Sequence, residues 1–168
     1  MPDENHDLRS QPAADHYLAR ESDWRNGALV YQVIVDRFAP SADLATKAHL
    51  YPAPKQLRRW EESPEKGRYL DGHEVWSHEI DFWGGDLVSL RERLGYIAGL
   101  GADVLYLCPI HLAWTNHGYD GLDYQQVRPE YGSRHDLKQL TKDAHARGMR
   151  VVLDGVFNHM GRNSPAFQ

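Results

Sequence analysis

Two rhythms of apolar residues run along this chain. Residues 28–35 (Ala-Leu-Val-Tyr-Gln-Val-Ile-Val) are nearly continuous and rich in β-branched side chains, which predicts a strand. It ends in Asp36-Arg37-Phe38. Residues 86–100 change period: Leu87, Leu90, Leu94, Ile97 and Ala98 share one face of a predicted helix. Gly101 supplies its left-handed stop, and a strand over 102–107 follows at once. The same order returns later. Ser133 and Asp136 form a loose capping box, Leu137, Leu140, Ala144 and His145 continue a helical face, and Gly148 ends it. The run 149–153 is a third strand. Its wholly apolar Val151-Val152-Leu153 predicts burial on both faces, and Asp154, Asn158 and His159 appear where it stops.

Strands alternating with helices imply right-handed βαβ units and a parallel sheet. Length is invested after the strands, above all in residues 108–132, while the helix-to-strand turns are minimal. That asymmetry belongs to a TIM-type barrel or a doubly wound sheet with its site at the carboxyl ends. Gly84-Gly85-Asp86 is not a phosphate-binding glycine pattern, so the barrel is favoured. Residues 1–23 read as a loose polar leader. The long connection 40–80, with Pro52, Pro54 and Pro64, is expected to hold short helices over 42–48 and 55–61.

Composition narrows the partners. The chain has 168 residues, 41% of them hydrophobic, and a net charge of −5. That suits a soluble globular protein and argues against nucleic acid or an anionic membrane, which want a basic face. The one cysteine, Cys108, rules out an internal disulfide and a thiol-bearing zinc cluster; at a strand end it reads as a small packed hydrophobe. Residues 1–10 carry no apolar signal region and no run approaches a membrane span, so a cytoplasmic location is expected.

Three polar clusters converge on the strand ends: Asp36-Arg37; His117-Gly118-Tyr119-Asp120 with Asp123-Tyr124; and Asp154 with Asn158 and His159. No serine or cysteine sits on an elbow beside a histidine, and no H-x-x-x-H pair offers transition-metal ligands. Hydroxyl-rich substrates fit these residue types better, because planar rings cover the apolar face of a sugar while carboxylates, amides and imidazoles pair its hydroxyls. Trp114, Tyr119, Tyr124 and Tyr131 stand beside such groups. For all but Tyr119, loop packing is the stronger explanation. Asp154 could instead order the strand ends through a paired arginine, and Asn158 could brace the next segment. His159 is the least easily explained as structure.

Taken together, these residues resemble the α-amylase family of retaining glycosidases and transglycosidases. The resemblance is carried by Val-Tyr-Gln-Val-Ile-Val-Asp-Arg-Phe (30–38), Phe-Trp-Gly-Gly-Asp-Leu (82–87), Leu-Gly-Ala-Asp-Val-Leu-Tyr-Leu-Cys-Pro-Ile (100–110), His-Gly-Tyr-Asp-Gly-Leu-Asp-Tyr (117–124) and Asp-Gly-Val-Phe-Asn-His (154–159). It implies that residues 24–168 form the N-terminal part, strands one to three, of an incomplete (β/α)₈ catalytic barrel. Tyr119 would be the platform under the sugar at the cleavage point, with His117 and His159 donating to that sugar's hydroxyls. Asp154 would organise the site and Asn158 would brace it. Calcium is the one cofactor the resemblance leaves room for, with Asn158 and Asp86 as candidate ligands, although Ala39-Pro40-Ser41-Ala42 replaces the ligand-rich loop of calcium-binding members. The implied substrate is an α-linked glucan or maltooligosaccharide.

The family's nucleophile, acid/base and third carboxylate would lie beyond Gln168, so the chain alone is expected to be inactive. An open barrel would also expose apolar edges at its first and third strands, favouring association. Two other readings remain: a non-catalytic carbohydrate-binding protein, and half of a split enzyme completed by a chain carrying the C-terminal strands. An unrelated barrel lyase or aldolase is weakened by the lack of a strand-end lysine.

Overall fold

The computed structural model describes residues 11–167. Of the expected loose leader, residues 1–10 lie outside the described residues, and 11–21 differ from expectation by forming helix α1 (Gln11–Glu21). Ala13, Ala14, Leu18, Ala19 and Arg20 are good helix formers, and Pro12 is tolerated in a first turn.

Strand β1 (Val30–Val33) follows, then a single 3₁₀ turn over Val35–Arg37 and the short helix α2 (Leu44–Lys47) inside the predicted 42–48. The helix expected over 55–61 is absent. Its place is taken by β2 (Gln56–Leu57), beyond which lie β3 (Tyr69–Leu70), β4 (Val75–Trp76) and β5 (Asp81–Phe82). β2 runs parallel to β5, and Gln56 N–H donates to the Ile80 carbonyl at 2.9 Å. These pairings with a distant segment win over local helical preference. β3 and β4 form an antiparallel hairpin.

The predicted helix 86–100 is two helices, α3 (Leu87–Glu92) and α4 (Leu94–Gly99). The break falls at Arg93 (φ −98°, ψ 4°), beside Gly95, where propensity to continue is low. The predicted apolar face holds across the break: Leu87, Leu90, Leu94 and Ile97 are fully buried. Asp86 caps α3 by accepting from Ser89 N–H at 2.7 Å.

β6 (Val104–Leu107) comes next, and then the long loop, which contains an antiparallel hairpin of β7 (His111–Ala113) and β8 (Gly121–Val127). α5 (Arg134–His145) starts with the reciprocal Ser133–Asp136 box, and β9 (Arg150–Leu153) closes the series. His145, expected on the buried face of α5, is exposed, whereas Leu140 and Ala144 are buried.

β1, β6 and β9 form one parallel sheet in the order β1-β6-β9, with Val33, Leu107 and Leu153 in register. α3, α4 and α5 pack on it through Leu90, Ile97, Leu105, Leu140 and Met149. β9 also departs from the sequence expectation. Val151 and Val152 are only half-buried and Leu153 is 48% exposed, because β9 pairs with β6 on one side alone among the described residues. Leu29 and Val30 at the opposite edge are each 52% exposed. These are the apolar edges the sequence predicts.

Candidate active site

The parallel register brings three strand ends to one line. Cys108 N–H donates to the Val33 carbonyl and Asp154 N–H to the Leu107 carbonyl, each at 2.9 Å. Side chains that follow these strands therefore meet at one rim. Cys108 is buried there and accepts from Gln32 Nε2 at 3.3 Å, consistent with packing.

Tyr119 is the centre of the cluster. Its hydroxyl donates to Asp154 Oδ2 at 2.7 Å, and the carboxylate accepting that proton raises the phenol well above its ordinary pKa. Its carbonyl lies 2.9 Å from His159 Nε2. A carbonyl only accepts, so Nε2 carries the proton, and His159 Nδ1 faces the Asn158 side-chain amide at 3.3 Å. Tyr124 adds a bond from its hydroxyl to the His159 carbonyl at 2.7 Å. Two segments some 35 residues apart are thus joined through the residues expected to bind sugar. Tyr119 remains 38% exposed.

His117 stacks on Tyr119, with ring centroids 5.8 Å apart and planes 27° from parallel. Its Nδ1 accepts from Tyr119 N–H at 3.0 Å, so the proton of the neutral ring sits on Nε2. That atom is 3.5 Å from Glu79 Oε1, the one polar side chain it faces among the described residues. The tight turn beneath it needs Gly118: φ is +75°, and a Cβ would stand 2.8 Å from the Pro109 carbonyl oxygen.

The arginine expected to pair with Asp154 would lie on a strand after β9; among the described residues the hydrogen-bond partner of Asp154 at this rim is Tyr119. Asp36 is fully buried and accepts from Trp83 N–H at 3.0 Å and Gly84 N–H at 2.9 Å. Burial pushes its pKa up against those two amides and the nearby Arg128 and Arg37. Among the aromatics, Tyr131 is buried and donates to the Asn116 carbonyl, so it packs the loop.

The calcium expectation meets a committed Asp86. Its carboxylate caps α3 and pairs with the Lys47 ammonium, which already neutralises its charge. Among the described residues no group of three or more His, Cys, Asp or Glu side chains is gathered as a metal set. The donors at Asp86 do not fit a calcium ion.

A buried ion network escaped the sequence reading. Arg128 is wholly buried, donates from Nη1 to the Thr115 carbonyl at 2.8 Å, and faces both Glu130 oxygens at 3.4 Å. Lys55 Nζ reaches Glu130 Oε1 at 2.6 Å. Burial opposes ionisation of Glu130, yet Arg128 and Lys55 hold its pKa below the usual carboxylate value. Thr115 in turn holds Asp120 through its amide and hydroxyl and lies 3.2 Å from His117 Nδ1. The network anchors the loop that carries His117 and Tyr119. Its only sequence signal is a pair of charges flanking Pro129. His111 was missed as well; it is 7% exposed, with Nε2 unpartnered, and burial lowers its pKa.

Comparison with known proteins bears on the same residues. A family model described as alpha amylase, catalytic domain, matches residues 32–168. The amylopullulanase of Thermoanaerobacterium saccharolyticum is 37% identical over 155 residues, covering 87% of this chain and 12% of that protein. The intracellular maltogenic amylase of Bacillus subtilis (strain 168) is 35% identical over 156 residues, covering 92% of this chain and 23% of its own length. Among solved structures, the cyclic alpha-maltosyl-(1→6)-maltose hydrolase of Arthrobacter globiformis, in complex with maltose, superposes with a TM-score of 0.69 at 36% identity. It is covered to 29%, and this chain to 86%. The chain therefore spans between 12% and 29% of the length of these relatives.

Proposed function

The chain belongs to the α-amylase family, and from that premise we propose that it is the N-terminal part, strands one to three, of a (β/α)₈ catalytic barrel acting on α-glucosidic bonds of maltooligosaccharides and α-glucans. In this reading residues 24–168 are that barrel part, β1, β6 and β9 are its first three strands, and further strands adjoin β1 and β9, in the same polypeptide or in a complementing one. The names of the relatives, which include a maltogenic amylase and a maltose complex, support the substrate class. The word intracellular in one of them supports a cytoplasmic location.

The observation that carries the reading is the bonded cluster of Tyr119, Asp154 and His159 at the carboxyl ends of β6 and β9. Tyr119 offers its ring to the apolar face of a glucosyl unit. His117 donates from Nε2 to a hydroxyl. His159, whose Nε2–H rests on the Tyr119 carbonyl in the free chain, transfers that donor to a second hydroxyl on binding. Asp154 holds the Tyr119 ring through its hydroxyl, and Asn158 orients His159. The retaining reaction needs two carboxyl groups about 5–5.5 Å apart, one as nucleophile and one as acid/base. Those groups belong to the adjoining strands, so the chain orients the sugar and by itself leaves the bond intact.

Calorimetric titration of the chain with maltotriose, paired with a reducing-sugar assay, tests this. Saturable binding without release of reducing ends is expected, and Tyr119→Ala should abolish it. A folded chain that binds no maltotriose, or that hydrolyses it, contradicts the proposal.

A further inference from the structure

Glu79, at the end of the 3₁₀ turn Ser77–Glu79, faces the edge of the His117 ring, and the roles above leave it unused. The two oxygens of its carboxylate have different surroundings. Oε2 accepts from the Trp76 amide at 2.9 Å, which fixes the group in place. Oε1 points at His117 Nε2, 3.5 Å away, and no other donor reaches it among the described residues. We infer that Glu79 is a specificity-determining residue of this site: together with His117 it holds one hydroxyl of the sugar on Tyr119, His117 donating to that oxygen and Glu79 accepting from it. The inference rests on the reading of the Tyr119 rim as a glucan site.

Three observations support the pairing. The two side chains share one frame. The Asn116 amide donates to the Glu79 carbonyl at 2.7 Å, and the Asn116 side chain donates to the His78 and Asp81 carbonyls at 2.7 and 2.8 Å. Carboxylate and imidazole are therefore set before a ligand arrives. The tautomer is also right. His117 Nδ1 accepts from Tyr119 N–H at 3.0 Å, which leaves the proton on Nε2, the atom toward Glu79. Lastly, the direct contact is long. A charge-assisted N–H···O bond is typically about 2.7–2.9 Å, so a separation of 3.5 Å leaves both groups with bonding capacity to spare. A hydroxyl oxygen within bonding distance of both uses it, accepting the Nε2 proton and donating its own to Oε1. The two side chains are 33% and 28% exposed and line a cavity of about 210 Å³, so a hydroxyl has room beside them.

The neighbouring carboxylates are already committed. Asp120 accepts from the Trp114 and Thr115 amides and from the Thr115 hydroxyl, and Glu74 pairs with Arg162 at 2.7 Å. Among the described residues no lysine or arginine lies within ion-pairing distance of Glu79. The pair also selects its ligand. A cation would meet the Nε2 proton and an anion would meet Glu79, whereas a hydroxyl is donor and acceptor at once.

The test separates the two halves of the contact, because a fluorine in place of a hydroxyl can accept a proton but cannot donate one. Methyl α-glucoside and its monodeoxyfluoro derivatives are titrated against the chain by calorimetry. At one ring position the hydroxyl should bind about tenfold more tightly than fluorine, the low end for a bond to a charged acceptor. In Glu79→Gln the amide oxygen keeps the Trp76 bond and the NH₂ turns to the ligand, so that preference should fall to about twofold or less. His117→Ala should weaken the parent sugar and that fluoro derivative alike. Each preference is a ratio within one protein, so a reduced folded fraction cancels. With Tyr119→Ala abolishing binding, the inference is overturned by a wild type that prefers hydroxyl at no position, or by a preference unchanged in Glu79→Gln. Undiminished affinity for both ligands in His117→Ala overturns it too. If Tyr119→Ala leaves every affinity unchanged, the reading of the Tyr119 site fails instead. A folded wild-type chain that binds no glucoside overturns both.

Discussion

Replacing Arg128 by methionine should destabilise the chain by about 3 kcal/mol. The side chain is fully buried between the rings of Tyr131 and Phe82, its guanidinium carbon 4.8 and 5.3 Å from their centroids. Methionine matches that apolar sleeve in volume, so little cavity is left. What is lost is charge. Burial works against the Arg128 cation, but Tyr131, Glu130 and Asp36 outweigh it and raise its pKa, so the fold is built around a permanent positive charge. Removing one partner of a buried pair typically costs about 3–5 kcal/mol, because the other is left uncompensated. Lys55 still holds Glu130 at 2.6 Å, which places the loss at the lower end. The Thr115 carbonyl also loses its donor. Urea unfolding followed by circular dichroism gives the free energy from the midpoint and slope. In a Glu130→Gln background the same substitution should cost about 1.5 kcal/mol less, since neighbouring charges couple. A loss below about 1 kcal/mol, or equal losses in the two backgrounds, would show that the network does not hold the loop.

Other outcomes follow from single contacts. Gly118→Ala should cost about 1–2 kcal/mol from the left-handed backbone alone, plus the clash with the Pro109 carbonyl, read as a lower urea midpoint; an unchanged midpoint contradicts the turn geometry. Tyr119→Phe keeps the ring but loses the bond to Asp154. A half-exposed charge-assisted bond should be worth about 1 kcal/mol of stability, with sugar affinity reduced far less than by Tyr119→Ala in the same titration. Burial lowers the His111 pKa below 6.5. Between that lowered value and 6.5 the unfolded chain binds more protons than the folded one, so stability should fall as pH drops through this window. His111→Gln should flatten that part of a midpoint-against-pH curve, and an identical slope in both proteins would exclude His111 as its source.

What could be read from the sequence was local. Ser133 and Asp136 announced the start of α5 because a capping box needs only four residues, and Gly101 and Gly148, with φ of +80° and +79°, stop the preceding helices as expected. The apolar spacing of Leu87, Leu90, Leu94 and Ile97 survived even where the helix broke. The misreadings depend on distant partners. Gln56 and Leu57 look helical until Asp81 and Phe82 lie beside them, and Leu153 looks buried until its strand, among the described residues, has a neighbour on one side only. The β7–β8 hairpin was hidden by its bulged, irregular register. Glu130 and Lys55 are 75 positions apart, so no short pattern could signal their pairing. At the site, Tyr119, His117 and His159 could be picked out by residue type as candidates, but not that Tyr119 bonds to Asp154 or that His159 rests on the Tyr119 carbonyl.

The most direct measurement is backbone amide NMR of the ¹⁵N-labelled chain titrated with maltotriose. Saturable shifts are predicted at His117, Tyr119, Asp154 and His159, with the α4 and α5 surfaces silent. Shifts confined elsewhere, or none in a folded chain, would contradict the assignment of this rim as the glucan site.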